Sequence, residues 1–199
     1  MKNLLKKKWI VAATGVAILG VGVAGGAGAA YVYSHEQGEH RVVDDDKDNS
    51  ILAKANPKLS LKEAADKGLA EAKSGKVTKI ELEADNNKVY YEVEIQDNNT
   101  EKKYELDSDT GAVLSTKTEQ LEAEDKLSGT AEKTFEEVQK AVLAKYSSAK
   151  VTEIKLYNDG QTVTYKVEIL DNNQEKKLTV NSQNLNITEQ TTKDHDTKD

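Results

Sequence analysis

The chain has 199 residues, 35 acidic against 28 basic side chains, a net charge of −7 and no cysteine. The lack of cysteine excludes disulfides, thiolate metal centres, a cysteine nucleophile and a lipid anchor on a lipobox cysteine. Residues 1–33 hold four lysines and no acid, so the rest of the chain carries 24 basic and 35 acidic residues, a net −11. That charge repels the phosphates of nucleic acid and of anionic lipid, and Arg41 is the single arginine, so no set of bidentate phosphate forks exists.

The first element is an unbroken run of 25 uncharged residues, Trp9 to Tyr33, behind Lys2, Lys6, Lys7 and Lys8. As a helix it would span ~37 Å, enough for a hydrocarbon core of roughly 30 Å. Lysines on its N-terminal side would stay in the cytoplasm and place the rest of the chain outside. Trp9, Tyr31 and Tyr33 stand at its ends, where aromatic rings settle at a lipid–water boundary. A single-pass anchor through residues 9–33 is one reading. A signal peptide cleaved near Ala29 is the other, because Ala27-Gly28-Ala29 is a small-x-small triplet. Gly22 and Gly26 form a GxxxG, weak in so glycine-rich a run. Either way the chain is exported, and export without cysteine, in a composition rich in Lys, Asn and Asp, points to a bacterial origin.

Residues 34–59 are polar and charged, with Asp44-Asp45-Asp46 and the chain's one proline, Pro57. They read as a stalk. Beyond them the sequence is duplicated with an offset of 74 and no gap. Lys76-Val77-Thr78-Lys79-Ile80 returns as Lys150-Val151-Thr152-Glu153-Ile154, and Tyr91–Lys103 matches Tyr165–Lys177 at ten of 13 positions.

Each copy opens on a capping box, Ser60 with Glu63 and Thr134 with Glu137. These predict helices over 61–74 and 135–148. Phe135, Val138, Val142 and Tyr146 share one face of the second helix; Leu61, Ala64, Gly68 and Ala72 share the smaller face of the first. The bulkier set predicts that the second helix packs better. The period then changes to two. Ile80 and Leu82, then Val89, Tyr91, Val93 and Ile95, then Tyr104 and Leu106 form one-sided apolar strands. So do Ile154 and Leu156, then Val163, Tyr165, Val167 and Ile169, then Leu178 and Val180. Alternation with charged residues marks an antiparallel sheet with one face in water. Asp85-Asn86-Asn87, Asp97-Asn98-Asn99, Asn158-Asp159-Gly160 and Asp171-Asn172-Asn173 mark the turns. Asp109-Thr110-Gly111 turns into Ala112-Val113-Leu114, whereas the second copy has Gln183-Asn184-Leu185 and no glycine.

The expected architecture is therefore α+β: two tandem modules, each one helix on a small antiparallel sheet, behind an N-terminal transmembrane or signal helix. The segments are the anchor or signal (1–33), a polar stalk (34–59), module 1 (60–115), a linker (116–133), module 2 (134–188) and a disordered tail (189–199).

A capped helix followed by V-T-x-I-x-L, Y-x-V-x-I and D-x-x-T-G-x-V-L resembles the PepSY domain of peptidase propeptides and bacterial envelope proteins. In the first copy the resemblance rests on Ala64, Ala65, Val77, Ile80, Leu82, Tyr91, Val93, Ile95, Tyr104 and Asp107 to Leu114. In the second it rests on Val151, Ile154, Tyr165, Val167 and Ile169, without the Thr-Gly ending. The resemblance implies a non-catalytic module that binds or modulates a protein partner, such as a secreted peptidase, in trans. An envelope spacer without inhibitory activity is the alternative.

No catalytic, cofactor or metal residues are assigned. His35, His40 and His195 lie in the stalk and tail, and no HExxH, GxSxG, GxGxxG or P-loop is present. Asp107-Ser108-Asp109-Thr110-Gly111 lacks the closing ligands of a calcium loop and reads as a turn. The solvent face of the sheets carries Tyr90, Glu92 and Glu94 in one copy and Thr164, Lys166 and Glu168 in the other, a mostly charged surface. Open sheet edges could pair with an extended peptide.

Overall fold

The computed structural model describes residues 45–85, 87–122, 126–127, 129–158 and 162–190. The expected anchor or signal at 1–33, with Gly22, Gly26 and Ala27 to Ala29, lies outside these residues, as do Asp44, His35, His40 and His195. Among the described residues no helix is long and apolar enough to cross a membrane.

In chain order the elements are α1 (Asp45–Lys54), α2 (Leu61–Ala72), β1 (Lys76–Asp85), β2 (Lys88–Asp97), β3 (Thr100–Asp107), β4 (Val113–Gln120), α3 (Phe135–Lys145), β5 (Lys150–Asn158), β6 (Val163–Asp171), β7 (Gln174–Asn181) and β8 (Ile187–Glu189). Both capping boxes form. Ser60 Oγ accepts from the Glu63 N–H while Glu63 accepts from the Ser60 N–H, and Thr134 and Glu137 repeat the exchange. Each module is then an antiparallel meander, as the alternating pattern predicts. The two meanders are not separate sheets. β1 pairs antiparallel with β5, giving one eight-stranded sheet of order β4-β3-β2-β1-β5-β6-β7-β8.

The apolar strand residues form the core on the helix side: Ile80, Leu82, Tyr91, Val93, Ile95, Tyr104 and Leu106 in module 1, and Ile154, Leu156, Val163, Tyr165, Val167, Ile169, Leu178 and Val180 in module 2. A tether repeated in both modules fixes each helix on the sheet. The buried Tyr91 hydroxyl donates to the Leu59 carbonyl at 2.7 Å, one residue before the cap Ser60, and Tyr165 donates to Lys133 before the cap Thr134. Each tyrosine and each acceptor is offset by 74. Tyr91→Phe leaves the Leu59 carbonyl without that donor, so a loss of about 1–3 kcal/mol is expected in urea unfolding. A change below about 0.5 kcal/mol would show the tether to be dispensable.

The expectation that the second helix packs better is overturned. Leu61, Ala64, Gly68 and Ala72 of α2 are all buried. In α3 only Val138 and Val142 are, with Phe135 and Tyr146 half-buried at the ends. Small side chains let α2 sit closer to the strands rather than leaving a gap. A Cβ on Gly68 would fall 2.8 Å from Val93 Cγ1. Gly68→Ala should therefore cost about 1–2 kcal/mol net, because overpacking outweighs the helix-propensity gain of about 1 kcal/mol. A rise in Tm on this substitution would disprove the close fit.

Three segment boundaries also shift. The stretch read as a stalk contains α1, whose Leu52 is buried, and ends on the buried Leu59. The short apolar step Ile51-Leu52 supplies a packing face that the surrounding charges masked. The stretch read as a linker contains the end of β4, which runs antiparallel to β3 from Leu106↔Val113 to Thr100↔Gln120. The supposed tail begins inside β8, where Glu189 pairs with Leu178 and Gln190 N–H donates to the Lys177 carbonyl at 2.8 Å.

Candidate functional site

The helices cover one face of the sheet, and the opposite face is the candidate site. Tyr90, Glu92, Glu94, Thr164, Lys166 and Glu168, the residues expected on the solvent face, share this face, alternating with the core residues of β2 and β6, but Tyr90 and Glu94 are buried rather than in water. Pairing of β1 with β5 adds a feature that alternation within single strands did not disclose, two continuous charged rows across both modules. One row runs Glu105, Glu92, Glu81, Glu153, Glu168 on five neighbouring strands. The next runs Lys117, Lys103, Glu94, Lys79, Lys155, Lys166.

The rows neutralise one another. Lys79 bonds Glu81, lies 2.9 Å from Glu92 and 3.9 Å from Glu94. Glu94, only 3% exposed, also meets Lys103 at 3.0 Å and Lys155 of the other module at 3.4 Å. In module 2, Lys177 bonds Glu168 at 2.6 Å and Glu175 at 3.0 Å. Lys166 stands over the Tyr157 ring at 3.6 Å from its centroid.

Burial and neighbouring charges compete for the proton affinities. Desolvation pushes the Glu94 carboxyl up, but Lys155, Lys79 and Lys103 outweigh it and hold the group below the usual carboxylate range. For Glu81, desolvation outweighs the attraction of Lys79 and raises the carboxyl to about 7. Desolvation and then the charge of Glu81 raise Glu153 to about 7 as well. Glu83 is raised by burial despite the hydroxyl of Tyr90 at 2.7 Å. Lys79 is lowered by burial, but Glu81, Glu92 and Glu94 carry it well above the usual lysine value.

Among the described residues, Glu81, Glu83 and Glu92 form the one group of three potential metal ligands, with their oxygens within 4.8 Å of one another. Lys79 and Tyr90 already serve these carboxylates. Asp107 to Gly111 form the turn that the sequence suggests. Asp107 Oδ1 accepts from the N–H groups of Asp109 and Thr110 and from the Thr110 hydroxyl, and Asp109 pairs with Lys58 at 3.4 Å. Asn181 builds the same turn in module 2, with Leu185 held at φ 61 where module 1 has Gly111 at φ 69.

The seam between modules has a local cause. Bulges at Thr78 and Thr152, each hydroxyl bonded to a carbonyl of the next strand (Glu94 at 3.3 Å, Glu168 at 3.2 Å), limit β1–β5 pairing to Lys79↔Lys155, Ile80↔Ile154 and Glu81↔Glu153. Ile80 and Ile154 are repeat equivalents, so a pseudo-twofold axis passes between them. On the helix side, the Lys150 ammonium closes the end of α1 by donating to the carbonyls of Leu52 at 2.7 Å, Ala53 at 3.3 Å and Ala55. The sequence does carry a signal for this centre. Lys79 and Glu81 of the first copy are replaced by Glu153 and Lys155, a charge reversal inside an otherwise repeated motif.

The two exposed sheet margins differ. β8 is three residues long, whereas β4 offers an eight-residue edge whose Val113 and Leu114 are 42% and 54% exposed.

Comparison with curated proteins finds no match. Among solved structures, the chain is similar to a Clostridium difficile protein provisionally described as a lipoprotein, at 28% identity and a TM-score of 0.48, covering 69% of this chain and 95% of that one. The family described as "Peptidase propeptide and YPEB domain" matches residues 58–117 and again residues 132–191. Two matches in tandem, each spanning a capped helix and its meander, show that this chain belongs to the PepSY family.

Proposed function

We propose that this is an exported envelope protein, non-catalytic, whose paired PepSY modules bind a protein partner in trans, with a secreted peptidase as the partner class. The observation that carries this reading is β4, which pairs with β3 on one side and has no strand partner on its outer edge among the described residues, and which carries two exposed apolar side chains on a sheet of a family named for peptidase propeptides. An extended peptide segment can add to such an edge through main-chain hydrogen bonds, with side chains seated beside Val113 and Leu114. The self-neutralised charged face favours a second reading, an envelope spacer, because its lysines and glutamates satisfy one another.

Adding the chain to secreted metallopeptidases of the source organism separates the two. Dose-dependent inhibition that weakens about tenfold or more in Val113→Lys/Leu114→Lys supports capture at β4. No inhibition at high excess removes the peptidase reading and leaves the spacer.

A further inference from the structure

We propose that the β1 strand that closes the seam within one chain also accepts β1 of a second copy of this chain, so that two copies exchange modules into a dimer held by a β1–β1 and a β5–β5 seam. The register within one chain is electrostatically poor. Lys79 lies opposite Lys155 and Glu81 opposite Glu153, and like charges directly opposite destabilise a strand pair. Lys155 relieves this in part through Glu94.

The same pairing about Ile80 between two β1 strands places Ile80 against its own copy and Lys79 against Glu81 of the second copy, twice. About Ile154, two β5 strands place Glu153 against Lys155 of the second copy, twice. Every like-charge contact becomes an opposite-charge one with no change of backbone geometry, because the axis already passes through the isoleucine pair.

The helix face agrees. Lys150 closes the end of α1 in the single chain. Its repeat equivalent is Lys76 on β1, which is exposed here. In a β1–β1 seam, Lys76 of each copy stands where Lys150 stands now, so each can close the α1 of the other. The seam is also short, since bulges on both strands confine it to Lys79–Glu81 and Glu153–Lys155, while β1 follows β2 over the whole of Lys76–Asp85. Residues 122–132, between Leu121, bonded to Asn99, and Lys133, tethered by Tyr165, could extend to roughly 36 Å and let the modules part.

The test uses the full chain in detergent, equilibrated from mild denaturant and followed by sedimentation over a concentration series. The partner variant is Glu153→Lys/Lys155→Glu. It makes the intrachain seam complementary and leaves both exchanged seams complementary, so it favours the single chain. The unmodified protein should form a dimer whose dissociation constant rises about tenfold or more in the variant. An unchanged monomer–dimer balance, including two monomers throughout, overturns the proposal, because association through any other surface ignores this substitution. Should the variant misfold, zero-length carbodiimide coupling on a mixture of 14N and 15N chains decides the matter. A Lys79–Glu81 bond joining a heavy to a light chain is expected, and same-isotope products alone reject it.

Discussion

Glu94→Gln should destabilise the folded protein by about 3 kcal/mol, and its repeat equivalent Glu168→Gln by less than about 1 kcal/mol. The two positions are repeat equivalents, on β2 and β6, with the same residue type but different surroundings. Glu94 is 3% exposed and is the common anion for Lys79, Lys103 and Lys155; Glu168 is 27% exposed and serves Lys177. Removing one partner of a buried ion cluster leaves the other charges desolvated, a loss of roughly 3–5 kcal/mol in fully buried cases. The lower end applies here because the lysines are 13% to 38% exposed. A partly exposed pair contributes at most about 1 kcal/mol. Urea unfolding of both variants measures the difference, and equal losses would show that the three-lysine cluster is not the anchor its geometry indicates.

Acidification from about pH 8 to about pH 5.5 should raise the melting temperature by about 5 °C or more. Glu81 and Glu153 face each other across the seam, with Lys79, Glu83 and Glu92 around the first and Lys79, Lys155 and Glu168 around the second. Both carboxyls are raised to about 7 from 4.5. Between those values the folded chain binds more protons than the unfolded one, so stability falls as pH rises through the folded pKa and the cost is complete above it. The two groups titrate as a pair. Between the folded value and about pH 5.5, one shared proton corresponds to about 2 kcal/mol at roughly 1.4 kcal/mol per pKa unit, and a domain of this size moves by about 2–4 °C per kcal/mol. Glu94 opposes the trend only at lower pH, since its carboxyl is held below the usual range. Glu153→Gln should raise the melting temperature at the alkaline end and flatten the profile. A melting temperature that falls over the same acidification would refute this account of the seam.

Much of the fold was legible because each local signal had one physical meaning. Paired capping boxes located α2 and α3, the Leu61, Ala64, Gly68, Ala72 stripe gave the buried face of α2, and alternation gave the strands and their inner side. The misses share a cause as well. α1 owes its place to Leu52 and to three carbonyls met by Lys150, which stands far away in the chain. Side-chain volume alone suggested a loose first helix, whereas packing depends on the gap between backbones, and Gly68 against Val93 closes it. Charge alternation marked the solvent face but could not disclose that Glu81 would meet Glu153, because edge-to-edge pairing leaves no periodic trace in either strand.

The strand order also dictates a sequence of folding events. Every ladder but one joins strands that follow each other along the chain, separated by at most five residues. The exception, Ile80 with Ile154, spans 74 residues and requires both bulged strands to exist first. Short-range hairpins form early and long-range pairings late, because loop closure must be completed before distant contacts contribute. During synthesis from the N-terminus, the first meander is complete while β5 has yet to emerge. For that interval Lys79-Ile80-Glu81 is an unpaired edge, so the closure of the seam is the last and most concentration-sensitive step in making this protein.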